Sequence, residues 1–183
     1  MIESAAIFLL SACALPGQAS SPHFENDILP LLGRHGCNAS GCHGKAEGQG
    51  GFKLSVLGSD PDADRAAILK EGRGRRVSPS SPDESLLLRK ASGRVAHGGG
   101  VKIPSGSEDY QAMRAWIAIG SPAGSPDAPT LASIRVEPEA GVMGPVSTTR
   151  LRVLARFSDG REKDVTRHAR FQTNAESVAT VDS

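Results

Sequence analysis

Apolar positions along this chain change their period near residue 130, from one in every three or four residues to one in every two. "SPHFENDILPLLGRHGC" puts Phe24, Ile28, Leu31 and Leu32 on one helical face, with Ser21 as N-cap, Pro22 at the first helical position and Pro30 as a kink or restart. "SDPDADRAAILKEG" predicts a second helix capped by Asp60, with Pro61 behind it and a stop at Gly72. "SPDESLLLRKASG" predicts a third, opened by a capping box of Ser81 and Glu84 and closed at Gly93. "SEDYQAMRAWIAIG" predicts a fourth, which starts from Ser107, aligns Tyr110, Met113, Trp116 and Ile117 on one side and ends at Gly120.

"SPAGSPDAPT" has no apolar period and reads as a linker. Beyond it "ASIRVEP", "RLRVLARF" and "ESVATVD" alternate as strands do, and "SDG" at residues 158–160 is a hairpin turn. The chain is therefore expected to be a mainly α domain over residues 22–121, a linker over 122–130 and a partial all-β sandwich over 131–183. The sandwich has too few strands to close two sheets.

Composition is that of a globular protein, with a net charge of +1 over 183 residues, so no broad basic surface points to a nucleic-acid partner. Charge is uneven: residues 70–102 hold Lys70, Arg73, Arg75, Arg76, Arg89, Lys90, Arg94 and Lys102 against Glu71, Asp83 and Glu84. Arg73, Arg75 and Arg76 suit carboxylates, either of a bound cofactor or of an anionic redox partner, and read equally as a solvated loop. With one Trp and one Tyr the helical half has little aromatic bulk for a core, and a large apolar cofactor would supply it.

The first 19 residues read as an export signal. "AAIFLLSACAL" is apolar but too short to span a bilayer, and "PGQAS" offers small residues for cleavage near Ala19. "MIES" lacks the usual basic residues, which implies a start further upstream. "LSAC" competes as a lipoprotein signal that would leave a lipid anchor on Cys13. Both readings take the chain to the periplasm or cell envelope, where Cys37 and Cys42 meet oxidising conditions.

The chemistry concentrates in "RHGCNASGCHGK", residues 34–45. Two cysteines followed at once by histidine is the order that attaches haem c: each thiol adds to a porphyrin vinyl group, and the adjacent imidazole is held as proximal iron ligand. The spacing here is four residues, Asn38 to Gly41, rather than two, and the small residues at 39–41 let the longer loop bulge away from a ring. A Cys37–Cys42 disulfide and a zinc site are the competing readings, the latter short of a second ligand pair. No phosphate-binding glycine loop and no nucleophile with its base is evident.

At these residues the chain resembles a known family. "CNASGCHGKAEGQGGFKLSVLG", "KEGRGRRVSPSSPDESLLLRKASGRVAHGGGVKI" and "DYQAMRAWIAIGSP" are similar to the cytochrome c-like region of large exported planctomycete-type cytochrome proteins. Residues 132–183, with "FSDGREKDVT", resemble a bacterial immunoglobulin-like domain of group 2 (BIG2). The resemblance covers nearly all of residues 23–183. It implies covalent haem c on Cys37 and Cys42, His43 as proximal ligand, and further C-terminal domains beyond this chain. It also implies that the loop before the last helix carries the distal ligand. That loop, "RVAHGGGVKIP", has no methionine but offers His97 beside three glycines. Met113 competes from within the fourth helix, where core packing explains it as well, and an open site is the third alternative. His23, His35 and His168 are expected to be solvated or to support other groups.

The expected function is single-haem electron transfer in the bacterial cell envelope, bis-histidine ligated, with no open iron position and a lower potential than a His/Met site. Its redox partner is not named by the sequence. The alternative is a non-redox binding or tethering module, with the Cys-x4-Cys-His motif vestigial or disulfide-bonded. The chain reads as an electron carrier rather than an enzyme.

Overall fold

A computed structural model describes residues 21–44 and 46–182, which leaves the export segment and Cys13 outside the described residues. Four short helices come first: α1 (Leu29–Arg34), α2 (Pro61–Leu69), α3 (Leu86–Ala91) and α4 (Glu108–Ala118). Three strands follow, β1 (Leu131–Glu137), β2 (Arg152–Phe157) and β3 (Glu162–Asp164), in one antiparallel sheet of order β1-β2-β3.

Local chemistry accounts for the helix ends. A wide turn over Phe24–Ile28 leads into α1, and Pro30 sits in the first turn of α1, where its missing N–H costs nothing. The entry is His23 rather than the expected Ser21, because the Asp27 carboxylate accepts from the His23 backbone N–H at 2.8 Å. Asp60 caps α2 by accepting from the Ala63 N–H, and Ser107 caps α4 by accepting from the Tyr110 N–H. The expected capping box at Ser81 does not form. Ser81 opens only a single turn over Pro82–Glu84, and the Glu84 carboxylate is drawn instead to Arg94 and Arg89; α3 starts one residue after Ser85.

The core lies among the helices. Phe24, Ile28, Leu31, Leu32, Leu54, Ile68, Leu88, Ile103, Met113, Trp116 and Ile117 form one buried cluster, with Trp116 fully enclosed and its ring 5.6 Å from that of Phe24. Burial of each such side chain is worth about 1.5–3 kcal/mol, enough to order short helices that would be marginal alone. The Trp116 indole N–H donates to the Pro122 carbonyl, the Phe24 N–H to that of Ala123, and the Arg65 guanidinium to that of Ser121. The first three residues of the "SPAGSPDAPT" stretch are thus strapped to the helical half.

The sheet is leaner. Ile134 faces Ala155 and Val136 faces Val153 across β1 and β2, and the "SDG" turn joins β2 to β3 with Gly160 at φ 83°. Val153 and Ala155 are buried, whereas Ile134 is 60% exposed. The expected strand in "ESVATVD" is not formed. Residues 176–182 have no partner strand to pair with among the described residues, and Val178 lies open to solvent.

Candidate functional site

The Cys37–His43 loop leaves α1 directly and folds back on itself. His35 and Cys37 donate their N–H groups to Leu31 and Leu32 carbonyls, and His43 and Gly44 return theirs to Cys37 and Ala39. Gly44 is what lets the loop close: a Cβ there would sit 2.0 Å from the Asn38 carbonyl oxygen. The Leu54 N–H then donates to the His43 carbonyl, which ties the loop to the following segment.

Cys37, Cys42, His43, His97 and Met113 all line one cavity of about 610 Å³, within the usual 300–1,000 Å³ range of small-molecule sites. Leu32, Phe52, Leu87 and Ile103 supply its apolar wall. Arg75, Arg76, Lys90 and Lys102 bring positive charge, with no carboxylate among the lining side chains. Both cysteines are free thiols. Burial, reinforced by neighbouring Cys42, pushes the Cys37 thiol up to about 11.

The two imidazoles are set alike. His43 Nδ1–H donates to the Phe52 carbonyl at 2.9 Å, and His97 Nδ1–H to the Gly100 carbonyl at 2.8 Å. A carbonyl can only accept, so in each neutral ring the proton is on Nδ1 and the Nε2 lone pair is free, the tautomer a metal-ligating histidine takes. Burial lowers the His43 pKa, outweighing the Phe52 hydrogen bond, and favours the neutral ring. The ring centres are 6.2 Å apart with planes 9° from parallel. Two thiols and two imidazoles with free Nε2 atoms in one cavity are the donor set that covalent haem c would use. Among the described residues no three His, Cys, Asp or Glu side chains converge as a metal cage.

The other candidates lie elsewhere. His35 Nε2 meets Asp109 at 2.7 Å; His23 and His168 do not line the cavity. Met113 is fully buried in α4 and forms part of both core and cavity wall. Arg76 is committed structurally: it donates to the Ala67 and Gly51 carbonyls and stacks over Phe52 at 4.6 Å. Arg75 faces the cavity and Arg73 does not, which leaves Arg75 as the member of that trio available to a cofactor carboxylate.

Sequence reasoning missed Phe52, whose carbonyl orients His43 and whose ring lies 4.6 Å from it. It also missed Gly48, where a Cβ would come 2.2 Å from that same carbonyl. The signal was present in "GQGGF", glycines without a phosphate role. Lys90 and Lys102 belonged to the cationic window but were not singled out. Compared with known proteins, the chain matches no family model, no curated protein and no solved structure. Among the described residues no helix is long and apolar enough to cross a membrane.

Proposed function

We propose that the chain is a single-haem c-type electron-transfer protein of the bacterial cell envelope, its cytochrome c-like helical half followed by a partial immunoglobulin-like module. The observation that carries this reading is the pair of near-parallel imidazoles, His43 and His97, 6.2 Å apart with both Nδ1 atoms occupied, in the cavity that holds both free thiols. Bound haem would supply a one-electron Fe(III)/Fe(II) couple.

Each residue then has a distinct part. Cys37 and Cys42 would hold the haem covalently as thioethers, each S–H adding across one vinyl group with no net change of oxidation state. His43, oriented by the Phe52 carbonyl, and His97, oriented by the Gly100 carbonyl, would supply the imidazole nitrogens that hold the iron. Leu32, Phe52, Leu87 and Ile103 would provide the apolar surface for the haem ring, and Arg75, Lys90 and Lys102 would offset its carboxylates. Two imidazoles place the potential below that of a His/Met site.

Thioether bonds survive denaturation. Protein matured in a host that attaches haem should therefore keep a haem-staining band on a denaturing gel, and Cys42→Ala should remove most of it. Colourless protein with a Cys37–Cys42 disulfide by mass spectrometry overturns the reading in favour of a tethering module.

A further inference from the structure

A second cavity, of about 690 Å³, borders the Cys37–His43 loop and the segment that follows the sheet. Arg34, His35, Ser40, Lys102, Arg170 and Gln172 supply its polar lining, and none of the lining side chains among the described residues is a carboxylate. Its cations differ in how far they are already used. Arg34 and His35 both donate to Asp109, which holds them in place and offsets part of their charge. Lys102 and Arg170 pair with no carboxylate among the described residues. The Arg170 guanidinium is drawn in over Gly36, where a Cβ would sit 3.4 Å from its Nη1. The backbone adds donors, since the Ser40 and Gly41 N–H groups reach no protein acceptor among the described residues. The last carbonyls of α1, which would repel an anion, are already taken by the N–H groups of His35, Gly36 and Cys37. Apolar surface adjoins these groups: Val56 is 50% and Leu57 75% exposed on the same cavity. Leu57 is held there at φ 56°, a left-handed conformation that leucine seldom adopts, with its N–H on the Asn38 carbonyl.

We propose that this second cavity binds small organic anions, with one phosphate or carboxylate head between Arg170, Lys102 and the Ser40–Gly41 backbone and an apolar body against Val56 and Leu57. Uncompensated cations and free N–H groups around one open cavity are what an oxyanion requires, because each gives it a charge-assisted hydrogen bond without displacing a protein acceptor. The neighbouring valine and leucine select an anion that carries a few carbons over a bare inorganic ion. Gly41, Cys42 and Lys102 belong to both cavities, so the anion lies beside the thiol motif. The site itself needs no haem and stands whether or not the first cavity holds one.

The test is an amide NMR titration of the full chain at about 0.15 M salt, where loose surface attraction is screened. Butyl phosphate should shift the Ser40 and Gly41 amide signals along one saturable curve, at least about three-fold tighter than inorganic phosphate. Vesicles of anionic phosphatidylglycerol should not sediment with the protein. Arg170→Gln should weaken butyl phosphate about ten-fold, the loss of one charge-assisted hydrogen bond. Arg73→Gln removes the same charge from a residue that lines neither cavity and should leave the affinity unchanged. Leu57→Asn suits the left-handed backbone, so the loop should keep its shape, while butyl phosphate falls to the affinity of inorganic phosphate. Absence of saturable binding, equal losses from the Arg170 and Arg73 changes, or a Leu57→Asn protein that keeps the preference for butyl phosphate overturns the proposal. Vesicle binding without binding of the soluble anion overturns it in favour of a membrane surface. Each of these outcomes leaves the haem reading standing.

Discussion

The helical half and the sheet of this molecule contain similar proportions of apolar residues but use them in opposite ways. Around Trp116 the helices bury an unbroken cluster from Phe24 to Ile117, and the cavity is carved into its edge. The sheet buries Val153 and Ala155 and leaves Leu131, Ile134 and Val136 of its edge strand turned to solvent. A chemical site needs walls that hold their place, and only the first arrangement provides them. Regular secondary structure alone does not make a scaffold: β1 and β2 pair over six positions, yet nothing covers their exposed side chains among the described residues.

The largest test of that contrast is a matched pair of truncations. Trp116→Ala should cost about 3–5 kcal/mol in denaturant unfolding, through lost burial, the cavity left behind and the broken hydrogen bond to Pro122. Ile134→Ser, at an exposed strand position, should change stability by less than about 0.5 kcal/mol. Equal effects would mean that the sheet is packed in solution as the helices are.

Glycine substitutions sharpen the same point at a smaller scale. Gly44→Ala forces a methyl group against the Asn38 carbonyl and should cost about 2–3 kcal/mol while lowering haem attachment, because Cys42 and His43 must shift with the loop. Gly141 has open space around it and an ordinary backbone, so Gly141→Ala should leave both stability and haem content unchanged within about 0.5 kcal/mol.

A third test addresses what joins the halves. Asp109, 5% exposed at the start of α4, accepts from Arg34 at 2.9 Å, His35 at 2.7 Å and, from beyond the sheet, Arg167 at 3.3 Å. Burial alone would raise its pKa, but His35, Arg34 and Arg167 outweigh that and hold it below the ordinary value. A carboxylate depressed on folding stabilises the folded chain above its unfolded value, about 3.9, and that contribution fades as pH falls through the lower folded value. Asp109→Asn should cost about 1–2 kcal/mol at pH 7 and flatten the stability profile below about pH 4. An unchanged acid profile would mean that the cluster contributes no charge stabilisation. The smallest effect expected is in proteolysis. With residues 121–123 strapped to the helices and Thr130 bonded to Ser158, first cleavage should fall between Ser125 and Ala128 and leave the haem spectrum intact.

Where one local interaction decides the outcome, the sequence was readable. Asp60 before Pro61, Ser107 before an acidic turn and the "SDG" hairpin each act through atoms within three residues. The Ser81 box failed because Glu84 has stronger partners in Arg94 and Arg89, the former ten residues away. The alternation in "ESVATVD" failed because a strand is defined by its neighbour, and a period of two carries no information about whether one exists. At the site, Cys37, Cys42 and His43 were legible as a contiguous motif. His97 was reached through family resemblance, since 54 positions separate it from His43 and no spacing rule links them. Phe52, Gly44 and Gly48 act through the backbone and left only glycines and one aromatic to notice.

The central claim is that iron is held between His43 and His97, and the oxidised absorption and electron paramagnetic resonance spectra of the haem-loaded chain test it most directly. With imidazole on both sides, the oxidised protein should give a low-spin ferric signal without the long-wavelength absorption of methionine sulfur. His97→Ala should convert it to high spin, whereas Met113→Leu, a swap of similar volume costing less than about 1.5 kcal/mol, should leave it low-spin. A spectrum altered by the Met113 change and untouched by the His97 change would contradict the account and move the distal bond to Met113.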